Sequence, residues 1–492
     1  MSLELNRRAF MGSAAALALA GAAPKPAFAH DQFAGLDAIA QAELVRKKEV
    51  TSLELVDAAI ARIEAVNPQL NAVVTKIYDA ARARAKTQLP DSPLSGVPYL
   101  IKDLNDITGV RTTMGSRLGT HVATKTDLMP EKAIDAGLVI VGKSNTPEYG
   151  LLATTESLLL GPAHNPWNLD HSTGGSSGGA ACSVAAGIVP VAHASDGGGS
   201  IRIPASCCGV FGMKPSRGRM AFTAGEKMPG DIAVENCVSR SVRDSAMVFS
   251  LSEDNSDSAS LKRTGFVAGP RKKRLKIAFA TATYYGNEPH PDVKAAVEAT
   301  AKLCRDLGHD IVDTANPVHG EAFVEAFLTV WASGPAQLVQ LAESHHLKPQ
   351  DVLEPWTVSL AEYFFKKPKG ALEKSLAVFR DSEAQVDAFL ADYDAWLTPV
   401  LAAPPPRLGE QAPTVPFRTL YERVTRYVAY TPIHNVAGTP AMSVPLGMSS
   451  DGLPIGSQFA AAKGGEGILY ALAYELEAAR PWAGRHPGVF AE

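Results

Sequence analysis

Cysteine is scarce in this chain. The five residues Cys182, Cys207, Cys208, Cys237 and Cys304 are odd in number and spread over 492 positions, so they have the spacing of neither a disulfide framework nor a zinc site. They read as small core residues, with adjacent Cys207 and Cys208 close enough to the serine cluster described below to bear on it. No HExxH or other metal spacing occurs among the twelve histidines, which argues against a metal hydrolase. An excess of either charge is also missing: 47 basic against 51 acidic residues leave a formal charge of −4, which argues against a nucleic-acid or acidic-membrane partner. The one basic run, Arg271 to Arg274, reads as a solvated loop before a strand. The apolar run Ala14 to Ala23 is shorter than the ~20 residues needed to span a bilayer, and internal repeats are absent.

What is present suits a globular protein with a large core, at 46% hydrophobic and 20% charged residues. Residues 1–29 differ from the rest. Asn6-Arg7-Arg8-Ala9-Phe10-Met11, the apolar run Ala14 to Ala23 and small residues up to Ala29 form the pattern of a twin-arginine export signal cut after Ala29, with a periplasmic or secreted destination. A capping box at Thr51 to Glu54 opens an amphipathic helix that Asn67-Pro68 is expected to stop. Strands are expected at Val97 to Lys102, Leu138 to Gly142, Ile188 to Ala192, Lys276 to Ala282, Ala395 to Val400, Met442 to Leu446 and Ile455 to Ala460, with helices such as Val293 to Leu307 between several of them. This is α/β layering around a largely buried sheet. The polar stretch Ser252 to Gly265 is either a long surface loop or a domain joint.

Glycine and serine concentrate between Thr173 and Ser206, on either side of the apolar run ACSVAAGIVPVAHA. A flexible linker would not enclose so hydrophobic a segment. Asp196-Gly197-Gly198-Gly199-Ser200 can turn several N–H groups toward one point beside a hydroxyl, as an acyl-transfer nucleophile requires. A tight turn in which Ser200 bonds only its own backbone is the plainer alternative. The base that activates a serine is histidine or lysine. Lys102 ends the apolar run GVPYLIKD, where a lysine is unusual unless paired or functional; burial would lower its pKa toward 7, whereas a salt bridge to Asp103 or Asp106 would make it structural. Two further patterns compete. Gly137 to Ser144 satisfies the phosphate-loop expression, but its β-branched middle is a strand. Gly174 to Gly178 satisfies the nucleophile-elbow expression of α/β-hydrolases, with His434 as the partner of an esterase.

Taken together, GVPYLIKD, NPWNLDHSTGGSSGG, SDGGGSIRIPAS and NVAGTPAMSVPLGMSSDGLPIG resemble the amidase signature family, from about Asp37 to Trp482. Within it, the opening AQAELVRKKEVTSLELVDAAIARIEAVNPQLNAVV with HNPWNLD and GMSSDGLPIG is most similar to the 6-aminohexanoate cyclic dimer hydrolases. The resemblance implies a single large α/β/α domain over residues 30–492 with a mixed, twisted sheet. It implies a hydrolase of carboxylic amide C–N bonds, including cyclic or linear oligoamides, that works through a Ser-cisSer-Lys triad and an acyl-enzyme. Carried over position by position, Ser200 is the nucleophile, Ser176 the bridging serine after a cis bond from Gly175, and Lys102 the base. Gly197, Gly198, Gly199 and Ser200 would supply the oxyanion hole, with Asp196, Arg202 and Ser177 holding the loop. Gly197 departs from the threonine, isoleucine or alanine common in the family. No metal or organic cofactor is implied, the partner is a small or oligomeric amide, and a homodimer is one assembly open to it. A non-catalytic amide-binding protein or a transamidase subunit could share the same scaffold. Trp331, Trp356 and Tyr363 either line an acyl pocket or pack in the core.

Overall fold

The computed structural model describes residues 33–221, 230–318 and 320–491; the export signal expected over residues 1–29 lies outside them. The first long helix, Ser52–Leu70, opens on the expected box, with Glu54 N donating to Thr51 Oγ1 at 3.2 Å and Thr51 N to Glu54 Oε2 at 2.8 Å. It does not stop at Asn67-Pro68. Pro68 stands in the last turn, where its missing N–H forfeits a single late bond. Asn67 makes that turn more secure: its Oδ1 accepts from Ala72 N and Val73 N at 2.8 Å each, and Asn71 at φ 47° ends the helix.

Among the described residues, eight strands form the main sheet in the order Val191–Asp196, Val234–Ser239, Phe211–Lys214, Ala441–Met448, Pro454–Ala460, Ala395–Pro399, Lys276–Phe279, Asp310–Asp313. Most neighbours run antiparallel, while Lys276–Phe279 is parallel to both of its neighbours. The fold is therefore mixed α/β around a large mixed sheet. Val73–Lys76, Val139–Ser144 and Pro98–Lys102 form a second sheet that meets the first where Lys102 N donates to His193 Nδ1 at 3.3 Å. Six of the seven expected strands appear within a few residues of their expected bounds. The seventh starts at Val191 rather than Ile188, because Ile188 N closes a turn onto Ser183 O and Pro190 has no N–H for a ladder. Gly137 to Ser144 is indeed mostly strand.

Alternation across the main sheet separates two cores. Phe211, Met213, Met442, Val444 and Phe459 face the helices Val242–Ser252, Pro291–Asp306 and Glu466–Ala479, where Phe249 and Tyr470 are fully buried. Truncating Phe249 to alanine in so tight a cluster costs about 3–5 kcal/mol. On the opposite face, the short helix Arg202–Cys208 lies directly on the sheet because Gly212 carries no Cβ; one built there would meet the Ala205 Cβ at 2.8 Å. That close seat fixes the residues just ahead of the helix, Ser200 among them. Past the helix end at Ser252, the segment 253–265 is a loop pinned to the body by buried Glu253, which accepts from Thr264 N at 2.7 Å and Gly265 N at 2.8 Å.

Candidate active site

Lys102 is the last residue of the strand Pro98–Lys102, and its side chain is completely buried. Nζ donates to Ser176 Oγ at 2.6 Å and to Ser195 Oγ at 2.9 Å. The salt bridge to Asp103 or Asp106 is not formed. Asp103, the next residue, turns the other way and pairs with Lys143 at 2.7 Å, while Asp106 holds His121 at 2.9 Å. Burial drives the Lys102 pKa down to about 7, against an upward pull from Asp196 and Glu235. A substantial fraction of Lys102 is thus neutral at physiological pH and has a lone pair to offer.

Ser176 comes from the turn that precedes the helix Gly178–Ala185, and the Gly175–Ser176 peptide is cis. Gly175 leaves no room for a side chain, since a Cβ would lie 2.6 Å from Thr154 O and 2.7 Å from Leu152 O. Ser177 ties this turn to the neighbouring segment: its Oγ donates to Ser195 O at 3.2 Å, it accepts from Ser195 N at 3.3 Å, and Ser177 N donates to Ser200 O at 3.3 Å.

The glycine bend leaves the strand Val191–Asp196 and enters the helix Arg202–Cys208. Its anchor is the buried pair of Asp196 and Arg202: Nε and Nη2 reach the two carboxylate oxygens at 2.9 Å each, and Nη1 donates to Thr431 O and Gln458 Oε1 at 2.9 and 2.8 Å. Asn435 completes the cluster, accepting from Arg202 Nη2 at 2.7 Å and donating to Asp196 Oδ1 at 2.8 Å. Burial alone would raise the Asp196 pKa, but the Arg202 charge and its two bonds outweigh it and hold the carboxyl well below the usual range. One expected oxyanion donor is already committed: Gly199 N donates to Asp196 Oδ1 at 2.8 Å. The N–H groups of Gly197, Gly198 and Ser200 have no partner among the described residues. Gly199 has a different task. At φ 133°, with Thr431 Oγ1 only 2.4 Å from a Cβ built there, it makes the reversal that no side chain permits.

Ser200 closes the bend and lines a cavity of about 100 Å³. Among the described residues no hydrogen bond joins its Oγ to Ser176 Oγ; catalytic contacts of this kind commonly tighten only around substrate. The structure thus brings Lys102 and Ser176 into contact and seats Ser200 on the neighbouring bend, and residues 54–469 match the family described as Amidase.

The chain belongs to the amidase family. It is 38% identical to AmiC of Mycobacterium bovis over 473 residues, covering 95% of this chain and 99% of the relative. It is 35% identical over 487 residues to 6-aminohexanoate-cyclic-dimer hydrolase of Pseudomonas sp. (strain NK87), covering 92% and 96%. A solved 6-aminohexanoate cyclic dimer hydrolase complexed with substrate superposes with a TM-score of 0.86 at 32% identity, over 93% of this chain and 99% of that one. A bacterial aryl acylamidase of the amidase signature family follows with 0.80 at 28%, over 92% and 99%. The protein is an enzyme that hydrolyses amide C–N bonds.

In this amidase the elbow reading of Gly174 to Gly178 fails on geometry. His434 is buried, donates to or accepts from Thr439 Oγ1 at 3.1 Å, and packs edge-on against Trp396, while the Ser176 hydroxyl belongs to Lys102. Burial, with Arg202 and Lys214 nearby, pushes the His434 pKa well below its ordinary value. Cys207 meets Tyr427 Oη at 3.4 Å and Cys208 meets Thr173 O at 3.5 Å. Burial raises the Cys207 thiol to about 12, so it is a packing residue. Trp331 and Trp356 line the amidase cavity, and both indoles donate to Leu151 O, at 3.4 and 3.3 Å. Tyr363 does not line it; the ring packs on Phe417 and the hydroxyl donates to Glu325 at 2.8 Å. Sequence reasoning missed Ser195, Thr431 and Asn435. Ser195 carried a usable signal, one serine ahead of Asp196 in the same motif. The other two lie more than 230 residues from the bend; Asn435 carried a signal as the first residue of the motif NVAGTPAMSV, and Thr431 carried none.

Proposed function

We propose that this amidase cleaves small neutral amides by attack of Ser200, with Ser176 passing the proton and neutral Lys102 receiving it. The single observation that carries the reading is the 2.6 Å contact between Lys102 Nζ and Ser176 Oγ in a fully buried setting that holds no carboxylate against the amine. Ser200 Oγ bonds to the amide carbon as its proton moves to Ser176 and the Ser176 proton moves to Nζ. The carbonyl electrons go to an oxygen that meets the N–H groups of Gly197, Gly198 and Ser200; one such donor is typically worth ~10²–10³ in rate. When the tetrahedral species collapses, the C–N bond breaks, and the nitrogen takes a proton back through Ser176. The acyl group is left on Ser200, and water enters by the same relay in reverse to release the acid. Asp196, Arg202 and Ser177 act by holding the bend.

Similarity to 6-aminohexanoate-cyclic-dimer hydrolases supports cyclic and linear oligoamides as candidate substrates. A panel of anilides, linear amides, cyclic amides, carbamates and esters on purified protein tests the range. Incubation with a fluorophosphonate followed by peptide mass mapping tests the nucleophile: modification at Ser200 supports the assignment, and modification at another residue rejects it. The Arg7-Arg8 pattern and the small residues before His30 support twin-arginine export as the route out of the cytoplasm, which fractionation of the native host, with and without Arg7→Lys/Arg8→Lys, tests directly.

A further inference from the structure

The long helix Gly320–Ser344 places Phe323, Phe327 and Trp331 four residues apart on one face. Their rings stack in sequence, with centroids 6.3 and 5.6 Å apart and interplanar angles of 30° and 20°. All three line the cavity that Ser200 lines, and among the described residues no charged side chain does. The stripe lies directly against the glycine bend. A Cβ on Gly197 would lie 3.3 Å from Trp331 Cζ3, and one on Gly198 would lie 3.1 Å from Phe327 Cζ. The aromatic wall therefore starts at the donors that face the reacting oxygen, and the bond from Trp331 Nε1 to Leu151 O fixes the indole across the cavity.

We infer that Trp331, backed by Phe327, is the platform that selects the acyl group of the substrate, and that the preferred acyl group is flat, uncharged and about one ring in size. This rests on Ser200 being the nucleophile. Two physical arguments set the assignment. The cavity, at about 100 Å³, is smaller than the engineered cavity of about 150 Å³ that takes benzene, so it admits no more than one ring. The departing amine needs a proton from the Lys102 and Ser176 side, and water must later reach the acyl-enzyme by the place the amine vacates. Ser176, the hydroxyl that would return this proton, sits on Lys102, which also holds Ser195, whereas the ring stripe offers no free donor, its one N–H being spent on Leu151 O; the apolar cavity is therefore assigned to the part that stays attached to Ser200. A charged group there would be desolvated without a partner.

Binding is separable from turnover, so the test uses full-length protein carrying Ser200→Ala and titration calorimetry with three probes: benzamide, acetamide and the cationic 4-(aminomethyl)benzamide. Benzamide should bind at least tenfold tighter than either of the others. Adding Trp331→Ala should weaken benzamide at least tenfold and acetamide less than threefold, while Trp331→Phe should keep benzamide within about threefold. Gly197→Val, which crowds the indole from the bend without removing it, should weaken benzamide at least fivefold and serves as the second readout should Trp331→Ala fail to fold. Benzamide binding no tighter than acetamide, or an equal loss of both in Trp331→Ala, overturns the platform. Benzamide binding as expected in Ser200→Ala, together with undiminished hydrolysis by that same variant, would instead overturn Ser200 as nucleophile.

Discussion

Two lysines stand on neighbouring parallel strands of the small sheet, Lys102 opposite Ser144 and Lys143 opposite Ile101, and both side chains are fully buried. Their surroundings differ in one respect. Lys143 has the Asp103 carboxylate at 2.7 Å and the Thr112 hydroxyl at 2.6 Å; Lys102 has two serine hydroxyls and no carboxylate in contact. Burial lowers both pKa values, but Asp103 pulls Lys143 back toward its charged form, whereas Lys102 falls to about 7. An ion pair makes a lysine a structural cation, and hydroxyls alone leave it able to exchange a proton. Backbone position does not separate the two; partner chemistry does.

Removing the lysines should therefore break different things. Lys102→Met should lower kcat/KM at neutral pH by about 10³-fold or more, within the range proton-transfer groups contribute, as followed by amide hydrolysis. Turnover within tenfold of the parent would remove lysine from the mechanism. The same variant should not lose stability. The folded state holds this proton at about 7 and the unfolded chain at about 10.4, so the cost of burying Lys102 is full below pH 7 and fades as pH rises toward 10. Any gain from methionine should then be larger at pH 6 than at pH 9 in urea unfolding. Lys143→Met should instead cost about 3–5 kcal/mol of stability, because it strands a buried Asp103, and Asp103→Asn in the same chain should return part of that loss.

The comparison sharpens further when Lys102 is made to resemble Lys143. Ser195→Asp puts a carboxylate where a hydroxyl stood 2.9 Å from Nζ; it should stabilise the ammonium, cut activity at pH 7 by about 10- to 100-fold and move the rising limb of the pH profile upward by more than one unit, one unit being 1.36 kcal/mol. An unmoved limb would show that the limb belongs to another group. Ser195→Ala removes one neutral hydrogen bond, worth about 0.5–1.5 kcal/mol, and should lower kcat/KM by about 2- to 13-fold at constant pH.

Much of this contrast is legible in the sequence. Lys102 drew attention because it closes an apolar run, and the Gly-Ser clusters around Ser176 and Ser200 exceed what packing requires. Sequence could not say which of two adjacent charged residues would find the other: Asp103 looked like a partner for Lys102 until strand alternation sent it to Lys143. The fate of Gly199 was hidden for a similar reason. A run of three glycines reads as three equivalent donors, yet the Asp196 carboxylate, held by Arg202 and Asn435, takes one of them. Thr431 and Asn435 meet the bend only through the tertiary fold, and Phe327 joined the cavity wall because helical spacing carried it from Trp331, a relation visible only once the helix is known to face Ser200. At Pro68 a strong local breaker yielded to Asn67, whose side chain secures the turn that proline weakens.

The proposed mechanism turns on a neutral, buried Lys102 that drives the attack of Ser200. The most direct measurement is the second-order rate of Ser200 modification by a fluorophosphonate as a function of pH, read by intact mass on the full-length protein. The rate should rise through a midpoint of about 7, level off above it, and fall by about 10³-fold in Lys102→Met. A rate that keeps rising past pH 9, or one that Lys102→Met leaves unchanged, would contradict the account.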